Sequence, residues 1–224
     1  MGRYAFGLTA IGFGICAFVS HEAFNWHYIV AAVEILGGLA LAWPRSARAG
    51  ALALCAVYAI FALVAVPPIV RHPLVYNSWG NFFEQLSFVC GAAILYTQTS
   101  RISKIAYYAF GVCVVSFGLE QLFYLSETAS LVPKWIPPGQ MFWAWATTIA
   151  FFLAAISLLT GVRAQLGARS LAAMVAGFAL LVWVPALIGN PHVLFSWTEM
   201  IETVGIAAMA WIVADLVASR NLSP

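Results

Sequence analysis

Apolar residues run along this chain in stretches of about 20 positions, each ended by a short polar or proline-bearing link. Eight such stretches read as membrane-spanning helices, at about 4–20, 27–43, 49–68, 80–97, 104–124, 139–160, 167–188 and 198–217. The pattern predicts an all-α, polytopic membrane protein. Its links are short, so successive helices should be antiparallel neighbours.

The basic residues then assign the sides. With eight spans, Arg3, Arg45, Arg48, Arg101, Lys104, Arg163, Arg169 and Arg220 fall on one side, and only Arg71 and Lys134 on the other. Lys and Arg accumulate in cytoplasmic loops, so both termini are expected in the cytoplasm of a bacterial or archaeal cell, with the chain in its plasma membrane. Composition agrees: the 224 residues are 63% hydrophobic and 8% charged, with a mean hydropathy of +0.94. Such a chain cannot cover a water-facing surface. A net charge of +2, with no clustered basic patch, excludes a nucleic-acid partner and leaves the lipid bilayer as the first one.

An internal repeat organises the sequence. V-P-P-I-V-R-H-P-L-V-Y-N-S-W-G-N-F-F-E (66–84) lies over V-P-A-L-I-G-N-P-H-V-L-F-S-W-T-E-M-I-E (184–202) at an offset of 118. Val66, Pro67, Pro73, Val75, Ser78, Trp79 and Glu84 recur as Val184, Pro185, Pro191, Val193, Ser196, Trp197 and Glu202. Residues 12–24 align with 111–123, so the N-terminal stretch reads as a retained repeat element and not as a signal peptide. Residues 1–100 and 101–224 are thus expected to form two four-helix units. Each unit has an even number of spans, so the two enter the membrane in the same sense, as parallel repeats about a pseudo-twofold axis near the membrane normal.

Polar residues collect in one outer layer. At a helical rise of about 1.5 Å per residue, Glu84 and Glu202 lie one to two turns below the outer surface, and His21, Glu22, Glu120 and Gln121 reach the same layer from helices that end there. Glu34 descends into it from the second helix. Asn81 with Glu84, and Glu199 with Glu202, are spaced i, i+3 on one helix face. A carboxylate at such depth needs a partner or a proton, which suits proton exchange with a lipophilic molecule. The same glutamates also stand in the first turns of their helices as read here, where the helix dipole favours negative charge. Trp79 and Trp197 are expected at the membrane interface, as belt anchors or stacked on a head group. The prolines read as helix exits. His21, His27, His72 and His192 share the outer side but lack ligand spacing within any helix, so no metal site is expected. Cys16, Cys55, Cys90 and Cys113 form no C-x-x-C and read as buried thiols.

V-P-K-W-I-P-P-G-Q-M-F-W-A-W-A-T-T-I-A-F-F-L-A-A-I-S-L-L-T-G (132–161), preceded by F-G-L-E-Q-L-F-Y-L, resembles the first loop and second helix of DoxX-like membrane proteins. Y-I-V-A-A-V-E-I-L-G-G-L-A-L (28–41) is similar to the same second-helix pattern and keeps its glutamate at Glu34. The resemblance implies a fused pair of four-helix bacterial or archaeal units. It also implies a link to membrane redox complexes, since the family takes its name from a thiosulfate:quinone oxidoreductase subunit. Phe152 stands where the first unit has Glu34, which favours one functional unit beside a mainly structural one.

Three functions fit. The first is a quinone-linked redox or quinol-binding subunit, in which Glu34, Glu84, His21 and Glu22 move protons, no cofactor is covalently bound and a partner protein carries the electrons. The second is a lipid or small-solute binding and transport protein, and the third is a scaffold for a partner; self-association is open in each.

Overall fold

The computed structural model describes residues 1–20, 25–98 and 100–221, and every regular element among them is helical. In chain order these are α1 (Gly2–Val19), α2 (Asn25–Ala40), α3 (Ala47–Val64), a short α4 (Val66–Arg71) and α5 (Tyr76–Thr97). Then come α6 (Arg101–Phe123), a short α7 (Leu125–Leu131), α8 (Gln140–Thr160) and α9 (Ala164–Phe178). A π-helical turn, Ala179–Trp183, leads into the short α10 (Val184–Gly189), and α11 (Leu194–Asn221) is last.

Among the described residues, six helical stretches are long and apolar enough to cross a membrane: Gly2–Val19, Ala47–Arg71, Arg101–Phe123, Gln140–Thr160, Ala164–Gly189 and Leu194–Ser219. This is a multi-pass membrane protein, and its outward-facing Leu8, Ile15, Leu36, Ile105, Leu153 and Leu180 are solvated by lipid, not water. The other two expected spans are helical but differ in kind. α2 has 16 residues. α5 has 22, but its first half carries Asn77, Ser78, Asn81, Glu84 and Gln85, which lower its hydropathy.

Helix packing follows a ring. α1 packs on α2, α2 on α3, α3 on α5 and α5 on α6; α6 packs on α8, α8 on α9, α9 on α11, and α11 returns to α1, while α5 and α11 meet across the middle. Aromatic side chains fill the first half of the core: Tyr58 and Phe88 have ring centroids 5.0 Å apart, with Phe6 at 6.0 Å from Tyr58. In the second half the Tyr107 hydroxyl donates to the Leu158 carbonyl at 2.6 Å, tying α6 to α8. All four cysteines are free, and Cys16, Cys90 and Cys113 are buried.

Bilayers supply little hydrophobic drive between helices, so close backbone approach matters. α1 and α2 touch through Gly7 and Gly38, where a Cβ on Gly7 would sit 2.7 Å from the Gly38 carbonyl oxygen and a Cβ on Gly38 would press on the Gly7 carbonyl.

Two boundaries differ from the sequence expectation. Pro67 with Pro68, and Pro185, do not simply end helices: they occupy the first turns of α4 and α10. A fixed φ and a missing N–H suit that position. α5 and α11 begin earlier than the apolar runs, at Tyr76 and Leu194. Glu84 and Glu202 are therefore each the ninth helical residue, beyond the first turn where the dipole acts, so the capping reading fails.

Gly38→Ala should lower stability by about 1–3 kcal/mol through this clash, seen as a lower thermal midpoint in mild detergent. Gly177→Ala, whose new Cβ meets open space, should be neutral or mildly stabilising.

Candidate functional site

Two cavities lie towards the end of the bundle that carries the short helices. The larger, of about 700 Å³, is walled by α6, α7, α8, α9, the π-helical turn and α11, with Asn77 and Glu84 reaching in from α5. The smaller, of about 330 Å³, lies among α1, α2, α3, α5 and α11.

Apolar and aromatic side chains form most of the larger cavity, among them Phe117, Phe151, Phe178, Phe195, Trp143 and Trp183. Glu84, Glu120, Glu127 and Glu199 supply its charge, and no Lys, Arg or His among the described residues lines it. The cavity exists here because of features confined to the second half. Aligned at an offset of 99 before this point and 118 after it, the second half holds extra residues between α6 and α8, and these form α7 and the loop that roofs the cavity. The wide π-helical turn presents Leu181, Val182 and Trp183 to it; such turns recur at functional sites.

The acids come from three helices. Glu84 of α5 and Glu202 of α11 have carboxyl groups within hydrogen-bonding reach of one another should one carry a proton, and Glu199 adds a third charge beside Glu84. Glu202 Oε1 itself is buried without a hydrogen-bond partner. Glu120 of α6 joins the group, seated against Gly80 of α5, where any Cβ would collide with its carboxyl oxygens. Gln121, the next residue, is held by the Thr147 and Thr148 hydroxyls at 3.1 and 3.2 Å, so one end of its amide is anchored and the other is left for the cavity it lines. Glu127 sits on α7, outside the spanning helices. The Ser126 hydroxyl donates to its Oε2 at 2.8 Å and holds this exposed carboxyl below its ordinary value.

Glu34 does not join this group, although the sequence placed it in the same layer. It is 3% exposed and lines the smaller cavity with Tyr58, Gln85 and His27. The physical reason is lateral: α2 packs on α1 and α3, on the far side of α5 from α6 and α8. His21 and Glu22 lie outside the described residues. His72 and His192 are exposed, and among the described residues no three His, Cys, Asp or Glu side chains converge as metal ligands.

Trp79 and Trp197 line neither cavity. Each indole N–H donates to the carbonyl of a proline six residues earlier, Trp79 to Pro73 at 3.1 Å and Trp197 to Pro191 at 2.8 Å. Trp143 repeats this bond to Pro137 at 3.0 Å, and each helix begins three residues after its proline, at Tyr76, Gln140 and Leu194. The motif P-x-x-x-x-x-W thus staples a loop to a helix start, and its third copy was readable in the sequence as P-P-G-Q-M-F-W. Gln121 was placed in the polar layer by the sequence, whereas Thr147, Trp143 and Trp183 went unremarked because nothing local separates a cavity-facing aromatic or threonine from a lipid-facing or packed one.

Comparison of the chain with protein families, with curated proteins and with solved structures finds no match.

Trp79→Phe and Trp197→Phe each remove one donor and leave the ring's bulk. Each should cost about 1 kcal/mol in thermal or denaturant unfolding in detergent. Neither should change what the larger cavity retains.

Proposed function

We propose that this protein binds a lipophilic small molecule in its larger cavity and exchanges protons with it through Glu84, Glu120, Glu199 and Glu202. One observation carries the reading: a mostly apolar cavity of about 700 Å³ that several glutamates face and that no basic side chain among the described residues lines. Its size falls in the range of small-molecule sites, about 300–1,000 Å³. Carboxyl groups in apolar surroundings need a proton, a cation or a hydrogen-bond donor. Facing carboxyl groups such as Glu84 and Glu202 can hold a proton and pass it on.

A quinol is the ligand class this chemistry favours. The glutamates can accept from its hydroxyls, the anchored Gln121 amide can orient a ring oxygen, and the aromatic wall suits the ring and its apolar tail. The resemblance to DoxX-like proteins points the same way. A partner protein would carry the electrons, and the chain would serve as the quinone-linked membrane subunit. Transport of a lipophilic solute is the second reading, favoured by the interrupted helices at the cavity wall, where α9 gives way to the π-helical turn and α10.

The same proposal includes eight spans in two parallel four-helix units. Three observations support it. α4 and α10 begin 118 positions apart, as do α5 and α11. The ring of neighbours also maps onto itself when α1, α2, α3 and α5 are exchanged for α6, α8, α9 and α11. α2 would then be the shortest span and α5 the one with a polar first half.

Reporter fusions at the two termini should both read cytoplasmic, and an accessibility tag after His72 should read external; termini on opposite sides would sink the eight-span arrangement. The functional test is solvent extraction of protein purified in mild detergent, followed by mass spectrometry and an oxidised-minus-reduced ultraviolet spectrum. Near-stoichiometric quinone is expected, falling about tenfold in Glu84→Gln as roughly 1.4 kcal/mol of binding is lost. A specific lipid in its place favours the transport reading, whereas no retained ligand removes the proposal in favour of a scaffold.

A further inference from the structure

We infer that the smaller cavity is a separate site for a small monovalent cation, Na⁺ in the first instance, bound by the oxygens of Glu34, Tyr58 and Gln85. The inference does not rest on what occupies the larger cavity.

Three oxygens of different chemistry converge on one space. The Glu34 carboxyl is almost wholly buried and Tyr58 is 1% exposed, and both line the cavity with Gln85. The Tyr58 hydroxyl lies within hydrogen-bonding reach of the Glu34 carboxyl, short of a well-aligned bond, and Gln85 Oε1 is buried without a partner. Buried polar groups are nearly always satisfied, so an unpartnered amide oxygen and a loosely held phenol beside a buried carboxylate ask for a shared occupant.

The surroundings say what kind. Among the described residues no Lys or Arg lines this cavity. The titratable groups facing it are Cys16 from α1, His27 and Glu34 from α2, and Tyr58 from α3; Glu202 of α11 lies near Tyr58, and Glu84 adjoins Gln85 along α5. This is an acceptor-rich, acidic environment. A proton on Glu34 would neutralise the carboxyl and supply one O–H, a donor for a single neighbouring oxygen, whereas a cation can meet several oxygens at once. The carboxylate and amide oxygens are ligands that hard cations prefer, and the phenol oxygen stands beside them as a weaker, neutral one. The Ser20 and Thr198 hydroxyls at the same wall add two oxygens, and the cavity, about 330 Å³ against about 30 Å³ per water, admits an ion with several waters. The site belongs to the first half alone, because Phe152 replaces Glu34 and Ala176 replaces Tyr58 at the offset of 118.

Binding to the folded state alone raises stability in proportion to the logarithm of ligand concentration. The thermal midpoint of the full chain in mild detergent should therefore rise with NaCl, by about 3 °C per tenfold once the site fills, against choline chloride at equal ionic strength. Direct ²²Na⁺ binding should approach one ion per chain. Glu34→Gln should abolish both effects. Gln85→Met, which keeps the bulk and removes the amide oxygen, should weaken ²²Na⁺ binding about tenfold, and it keeps the test open if the glutamate variant fails to fold. Equal midpoints in sodium and choline, or a sodium response that survives in Gln85→Met and Glu34→Gln alike, overturns the inference.

Discussion

Carboxyl groups held inside an apolar bundle, with no Lys or Arg among the described residues beside them, set the terms for the rest of this structure. A lone carboxylate in such surroundings costs several kcal/mol at least, and among the described residues neither cavity wall holds the usual remedy, an ion pair with Lys or Arg. The remaining remedies are protons, cations and water from outside the chain, and the few donors within it, such as the Tyr58 hydroxyl beside Glu34 and the Ser126 hydroxyl on Glu127. The fold keeps room for them: each cavity opens where its glutamates are, and Gly80 gives up a side chain so that Glu120 can sit against α5.

The two halves meet this requirement differently. In the first, Glu34 and Tyr58 close around a small space backed by the Phe6, Tyr58 and Phe88 rings. In the second, Phe152 takes the place of the glutamate and packs its ring over Gly118, while α7 and the π-helical turn widen the bundle into a larger, aromatic-walled cavity. α5 and α11 pack against each other between the two spaces, so Glu84 and Glu202 stand near the boundary of both. The two halves thus hold cavities of different size and lining.

The end that carries the short helices is held by backbone devices, not by charge. Prolines start α4 and α10, and three indoles bond back to proline carbonyls ahead of α5, α8 and α11. Tyr76 stacks on Phe123 with centroids 4.9 Å apart and shares a 3.0 Å hydrogen bond with Ser116, fixing the entry of α5 against α6. Uncharged fastening of this kind leaves the glutamates free for other partners.

Much of this was legible in one dimension. The bilayer demands about 20 apolar residues per crossing, so hydropathy alone marked the helices, and the recurrence of Val66–Glu84 at Val184–Glu202 marked the paired acids. Helix starts were misplaced because Tyr76 to Asn81 and Leu194 to Glu199 are too polar to read as hydrocarbon, yet their proline–tryptophan staples make them helical. Depth was also readable, since a helix converts sequence position into height at a fixed rise. Lateral position was not. Whether Glu34 met Glu84 or Tyr58, and which threonines and aromatics faced a cavity, depended on which helices pack together, and apolar helices carry little local signal of their neighbours. Packing in three dimensions decided that, by dividing these acids between two separate cavities.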